Sequence, residues 1–546
     1  MELKLNLFIF SLFVFRSVLS KVNGEPKMNT PDKLDKPDAS DITWAHAVNS
    51  NKALEEELIG PVDFLEADIS MGYDTTYPTA DIPSPVPIMA HPPENTSDIS
   101  FDTWIQKVVK SGAKKGIKLD FKSVETVEPS LVILQKRVQN LNFSLWLNAD
   151  ILSGPVAATT KPVQPEHFLS LCHQYFPTAV LSIGWTTFLN SAISQTIWEY
   201  QWKHVRQMAD VIRCHGYINL SPNYTFPVRA IFASRSIKQL QWLLGVVPGS
   251  TLTVWSGASD PLEIEDLLRI RTAFPKEKVY YDVPEPINGE FKRVKNDVIN
   301  TPVAYPIAKE DRWMTVTKGQ GDPCETFTYI SNDTIVFGKF VKTAVLLKKT
   351  LLVDDYHNLK VKGRISFFKD STSSEFSKIG QELVIVLADV SLFSKNYTAG
   401  GDKLDLSESD TDVIWSALNA SFLHTFKHRI PEEQSACRMF SLDTTAERGF
   451  QAWTVSCDVL QKDVPIDEAV KHGVPEVSNR KRLVLPTGPF MLGFFSSGEE
   501  YVAVYDLSIE GENEGITSGA SLQVPSSLLL SILLFTFLTV MKNVFV

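Results

Sequence analysis

The chain has 546 residues, more than one domain of ordinary size holds, and this length predicts two or three folded units. Its composition, 44% hydrophobic and 21% charged, supplies apolar material for real cores and excludes a disordered, collagenous or multi-spanning membrane chain. Lys and Arg number 53 against 64 Asp and Glu, a net charge of −11; Lys114–Lys115, Lys348–Lys349 and Arg480–Arg482 are short solvated clusters, so nucleic acid is excluded as a partner.

In chain order, residues 1–20 carry a basic Lys4, an apolar stretch from Leu5 to Phe15 and small or short residues at Val18 and Ser20, the pattern of a secretory signal peptide. A polar segment rich in Pro and Lys follows. From there to about residue 290, short β-branched runs alternate with segments of helical period. The strands are expected at 42–50, 63–70, 116–123, 143–151, 179–187, 226–234, 250–257 and 278–284. Eight strands with helices between them over residues 41–290 predict an α/β domain, a TIM-type (β/α)8 barrel; an open doubly wound sheet is the competing arrangement.

Beyond Pro284 the pattern changes. DTIVFGKFVKTAVLLKK, KVKGRISFF, ELVIVLADVSLF and EEYVAVYDLSI are strand-like runs between turn residues, and they predict a β-rich, sandwich-like domain over 300–512. The final segment, 524–546, is apolar from Val524 to Met541 and near the lower length for crossing a bilayer. Lys542 behind it suits a single-pass helix, while the small residues Thr517 to Ser521 ahead of it suit a lipid-anchor attachment signal. Either anchor predicts an extracellular chain held at the cell surface by its C-terminus.

Seven Asn-x-Ser/Thr sequons, at Asn95, Asn142, Asn219, Asn223, Asn332, Asn396 and Asn419, agree with a secretory route. Five cysteines are too few for a dense disulfide frame, and the expected pairs are Cys172–Cys214 and Cys437–Cys457, with Cys324 left over.

Chemistry concentrates on the first three strands. In a (β/α)8 barrel the reacting groups stand at the C-terminal strand ends. His46 closes the first strand, Glu66 and Asp68 share a face of the second, and Lys118, Asp120 and Lys122 alternate onto one face of the third. His91 follows in the loop after strand two. Three carboxylates at one mouth repel one another unless a cation sits among them, and hard oxygen ligands suit Mg²⁺ or Ca²⁺. Glu66, Asp68 and Asp120 are therefore the metal candidates, His46 and His91 the acid and base, and Lys122 the contact to a phosphate oxygen. Any one of these residues alone reads as surface charge or core packing; their joint position on three consecutive strands favours a site.

WAHAVNS, FLEADIS, PIMAHPP and GIKLDFKS, in that order, resemble the menorin family, also called family with sequence similarity 151, over about residues 41–290. That family is similar to the glycerophosphodiester phosphodiesterases and to the sphingomyelinase D type phospholipases. The resemblance implies that His46 and His91 are the acid/base pair, that Glu66, Asp68 and Asp120 hold Mg²⁺, and that Lys122 contacts phosphate. It also implies that a hydroxyl of the substrate attacks phosphorus, and that Trp255 lines the pocket. One departure stands out: Ala47 and Val48 follow His46 where the glycerophosphodiesterases place Arg and Gly.

The resemblance further implies a ligand role at epidermal surfaces in dendrite patterning, with cell-adhesion and leucine-rich receptor proteins as partners. The expectation is thus a cell-surface, menorin-like ligand or adhesion factor built on a phosphodiesterase-type barrel with a preserved site. The alternative is an active Mg²⁺-dependent enzyme on glycerophospho- or sphingophospho-diesters or a lysophospholipid.

Overall fold

The structure, a computed structural model, describes residues 36–76, 84–138, 143–156, 158, 160–189, 198–215, 223–297, 313–331, 333–347, 360–368, 381–389, 422–428, 436–443, 451–456, 474–475, 490–496, 498 and 501–510. The expected signal peptide and C-terminal anchor lie outside them, as do all the sequons except Asn95 and Asn223, both exposed. Among the described residues no helix is long and apolar enough to cross a membrane.

Ten strands make the first sheet: β1 (Trp44–Ala45), β2 (Phe64–Asp74), β3 (Val86–Met89), β4 (Thr96–Ser97), β5 (Gly116–Phe121), β6 (Leu145–Ser153), β7 (Val180–Thr186), β8 (Tyr224–Arg229), β9 (Thr251–Trp255) and β10 (Val279–Asp282). Eight run parallel in the order β1-β2-β5-β6-β7-β8-β9-β10, a nearly closed barrel with helices outside. All eight expected strands are present. The apolar run 226–234 differs from its expected form: the strand stops at Arg229 and Ala230–Ala233 is a short helix. Every residue but Arg229 is buried there, so the run lacks the alternation that separates strand from helix.

β2 is eleven residues long and outruns its barrel neighbours. Its last turns carry β3 antiparallel and β4 parallel. This close packing requires Gly72, where a Cβ would meet the Asn95 carbonyl oxygen at 2.3 Å.

The N-terminal end of the bore is filled by rings. Trp44 packs on Phe64 at 4.6 Å between centroids, Phe64 on Trp146 at 5.0 Å, and Trp146 on Tyr280 at 5.1 Å. Below this layer an N-terminal strap crosses the barrel. The Asp38 carboxylate takes two bonds from the buried Arg271 guanidinium, at 2.9 and 2.6 Å, and Lys295 pairs with Asp41.

The second half is a sandwich. One antiparallel sheet has five strands from Trp313–Lys318 to Phe422–His428, the other seven from Tyr329–Ile330 to Val474–Pro475, among the described residues. Val345, Leu383 and Phe494 of the first sheet meet Ile365, Phe440 and Val504 of the second in one apolar core.

The sandwich docks on the helix Trp202–Cys214. Arg206 is fully buried, lying 4.8 Å from the centroids of both Tyr329 and Tyr501 and donating to the carbonyls of Val336 (3.2 Å) and Phe327 (2.7 Å). At the end of that helix Cys214 forms a disulfide with Cys324, across 110 residues. The expected Cys172–Cys214 pair is thereby corrected: Cys172 is a free, buried thiol packed among apolar residues, and Cys324 is the partner rather than the odd cysteine. Cys457 lies outside the described residues, and with it the expected Cys437–Cys457 pair.

Candidate active site

The residues expected to carry chemistry converge at the C-terminal mouth of the barrel. Glu66 and Asp68 on β2 pair in register with Lys118 and Asp120 on β5, and the two-residue period sends all four into the bore. One oxygen from each of Glu66, Asp68 and Asp120 lies within 4.8 Å of the other two.

A strained turn delivers His46. Ala47 has φ of +54°, a region rare for a residue with a Cβ, which such sites tolerate when their surroundings over-determine it. The surroundings do so here. The Ala47 N–H donates to Glu66 Oε2 at 2.9 Å, and Asn49 donates to Asp68 Oδ2 at 2.7 Å while accepting from the Asp68 N–H at 2.9 Å. From outside, the Trp104 indole N–H donates to the Val48 carbonyl at 3.0 Å. Ala47, in the departure from Arg and Gly, thus holds the Glu66 carboxylate through its backbone N–H, the Val48 N–H donates to the Glu66 carbonyl, and Asn49 holds Asp68.

His46 Nδ1 lies 3.2 Å from Asp282 Oδ2 and 3.4 Å from Glu66 Oε2. The Asp282 hydrogen bond raises the imidazole to about 9 against the opposing effect of burial, with the charges of Glu66 and Asp282 adding to it. His46 is therefore an imidazolium at neutral pH. Burial pushes the Glu66 carboxyl up to about 7; Asp68 and Asp120 reinforce the rise, and His46 and Lys118 oppose it.

Lys122 follows β5 directly and sits 2.6 Å from Asp120 Oδ2 and 2.8 Å from Asp68 Oδ1. Burial acts to raise Asp68, but Lys122, Asn49 and His91 outweigh it and hold the carboxyl below its ordinary value. Burial likewise acts to lower the Lys122 ammonium, and Asp120, Asp68 and Glu66 carry it the other way. His91 is placed on the rim rather than in the cluster: it is exposed, and its Nδ1 lies 2.7 Å from the Pro92 carbonyl.

The cluster fits a divalent cation. Its donors are carboxylate oxygens, the set that Mg²⁺ and Ca²⁺ take, and Glu66 Oε1 and Asp120 Oδ1 accept no hydrogen bond among the described residues. Burial, the chief cause of the raised Glu66 carboxyl, is a cost that a bound cation would offset.

The menorin N-terminal domain profile matches residues 38–288, from the strap at Asp38 past the end of β10. Human protein FAM151B is 39% identical over 263 residues, which span 48% of this chain and 90% of that protein. The chain belongs to the menorin family. Every menorin-family site residue described above, from His46 to Asp282, falls inside the matched region. Among solved structures, Lotus tetragonolobus seed lectin aligns with 36% of this chain and 94% of its own at 8% identity; its TM-score of 0.19 carries no argument.

Two groups of this menorin mouth, Asp282 and Asp150, escape the motif reading, and a third, Asn49, lies in the WAHAVNS motif but has no role in that reading. Asn49 and Asp282 position the carboxylates and His46, and Asp150 on β6 is a further, half-buried carboxylate, pushed up to about 7 by its removal from water and by Asp120. A polar residue at the C-terminal end of a barrel strand was the available signal, in NADI for Asp150 and VYYD for Asp282. Trp255 is half-buried at the end of β9, with the Arg229 guanidinium 5.2 Å from its ring and Arg229 itself tied to Asp260.

Proposed function

We propose that this menorin-family chain is a secreted or surface-anchored protein whose barrel acts on phosphodiesters with the help of a divalent cation. The observation that carries the reading is the meeting of Glu66, Asp68 and Asp120 within 4.8 Å beside His46, whose Nδ1 lies 3.4 Å from Glu66 Oε2 and 3.2 Å from Asp282 Oδ2. The three carboxylates would hold Mg²⁺ or Ca²⁺, which as a Lewis acid would offset charge developing on the phosphoryl oxygens.

This chain's own residues account for the rest. Lys122, fixed between Asp68 and Asp120, offers its ammonium to a phosphate oxygen. A hydroxyl of the substrate, or a water, forms the new P–O bond and gives its proton to His91 at the rim. The opposite P–O bond breaks as the His46 imidazolium donates its proton to the departing oxygen, and Asp282 holds the ring in position throughout. At neutral pH His46 carries the proton that this step needs.

A second reading, a surface ligand or adhesion factor whose receptors meet the barrel–sandwich body, is favoured by the covalent Cys214–Cys324 link, which holds the two domains as one presenting unit. Turnover of lysophospholipids, sphingomyelin and glycerophosphodiesters by the purified full chain in Mg²⁺ or Ca²⁺ separates the two. Activity lost in His46→Ala and in Glu66→Gln supports the first reading. No turnover across the panel with the cation still bound overturns it in favour of the second.

A further inference from the structure

One carboxylate at the mouth is left over once this machinery is assigned. Asp150 lies on β6 two residues beyond Asn148, and Asn148 pairs in register with Asp120. At about 3.3 Å per residue, Asp150 stands roughly 6–7 Å nearer the opening than the Asn148 layer. Strand alternation puts both residues on one face, and Asn148 accepts from Ser182 inside the barrel at 2.5 Å, so Asp150 also points into the bore.

The strand around Asp150 is shaped to hold it there. Its own carbonyl accepts from the Val163 N–H at 2.9 Å, and the β6–β7 register shifts immediately beyond it, an irregularity of the kind that re-aims side chains beside active sites. Its register partner on β7 is Gly184. A Cβ at Gly184 would come within 2.9 Å of Asp150 Oδ1 and 2.7 Å of Pro227 Cγ, so the glycine leaves the space that the carboxylate uses.

Glu66, Asp68, Asp120 and Asp282 each have a hydrogen-bond donor in the site, whereas the Asp150 carboxylate has none among the described residues; Lys118 and Lys122 reach it only through charge. Asp150 is half-buried and its oxygens are not sealed from the mouth, so a donor on an incoming molecule can reach them.

We propose that Asp150 is a substrate-contact residue that selects phosphate esters whose alcohol half carries a hydrogen-bond donor, an ammonium N–H or a hydroxyl, two or three carbons from the phosphate. The inference rests on the reading that phosphate is held at the Asp120 layer, where the Lys122 ammonium reaches back to Asp120 Oδ2 and Asp68 Oδ1. With phosphate there, the alcohol half trails past Asp150 toward solvent, and the layer spacing matches a two- or three-carbon link. The discriminating feature is the donor rather than the charge: a primary ammonium has N–H groups to give, and a trimethylammonium of equal charge has none.

The test is isothermal titration of the full chain in Mg²⁺ with phosphoethanolamine against phosphocholine, and glycerol 3-phosphate against propyl phosphate. The first of each pair should bind about tenfold tighter, the scale of a hydrogen bond to a charged group. In Asp150→Leu both ratios should fall to near one. Asp150→Asn, which keeps one acceptor oxygen and guards against misfolding of the first variant, should lie between. Absence of either preference in the wild type, or ratios unchanged in both variants, overturns the Asp150 assignment and leaves the phosphodiester reading standing. No Mg²⁺-dependent binding of any of the four esters by the wild type overturns both.

Discussion

The imidazole of His46 and the carboxylate of Asp282, 236 residues apart, share a 3.2 Å hydrogen bond that joins the first and last strands of the barrel. No backbone ladder links β1 to β10 among the described residues, so this pair and the Trp44–Tyr280 ring contact close the wall. Asp282→Asn should lower the His46 pKa from about 9 by a unit or more toward 6.5, read by NMR titration of the imidazole. A raised folded-state pKa means that the linked stability is fully present below 6.5 and fades as pH rises through 9. Wild type should therefore lose stability relative to Asp282→Asn across that window in urea unfolding, and parallel profiles would refute the coupling.

Divalent cation should raise the thermal midpoint of the wild-type chain. Occupancy at a hundred times Kd stabilises by about 2.7 kcal/mol, a shift absent in Glu66→Gln and Asp68→Asn. The Glu66 carboxyl, pushed to about 7, must shed its proton to serve as a ligand, so the shift should grow as pH climbs from about 6 to about 8. An undiminished shift in both variants would refute the cluster as the binding site.

The strap should hold at neutral pH and weaken in acid. Burial acts to raise the Asp38 carboxyl, but the bonds from Arg271 and Ser40 outweigh it and bring it down to about 2. A depressed carboxyl contributes stability above its unfolded value of 3.8 that is lost as pH falls through 2, about 2 kcal/mol in all. Asp38→Asn strands the buried Arg271 and should cost about 3 kcal/mol at neutral pH by urea unfolding, with the acid-limb loss correspondingly smaller.

Arg206 is the pin between barrel and sandwich. Arg206→Leu leaves Asp210, itself raised by burial, with only the Tyr329 hydroxyl at 2.9 Å and the charge of Arg213, and should cost about 3 kcal/mol. Cys324→Ser reopens a 110-residue loop and should cost about 2–4 kcal/mol. Limited proteolysis should find both variants cut between the domains sooner than the wild type; equal rates would show that the two halves hold together without either contact.

The barrel was legible because its strands are continuous β-branched runs, and the metal-candidate site because Glu66, Asp68, Asp120 and Lys122 sit on two neighbouring strands whose spacing is written locally. What stayed hidden depends on pairs distant in sequence. Asp282 acquires meaning only when β10 comes round to His46, and the Cys214–Cys324 bond only when the sandwich reaches the helix Trp202–Cys214. Asp150 reads as one more strand-end polar residue until Gly184 is seen opposite it. The short helix Ala230–Ala233 was masked by uniform burial, which erases both periods at once.

The layer of Trp44, Phe64, Trp146 and Tyr280 makes the barrel a blind-ended vessel. If the barrel turns over a phosphodiester as proposed, substrate and product would share the C-terminal mouth, so the product would have to leave before a fresh substrate entered. Traffic through such a port would be sequential, and a product that lingered there would compete directly with the next substrate.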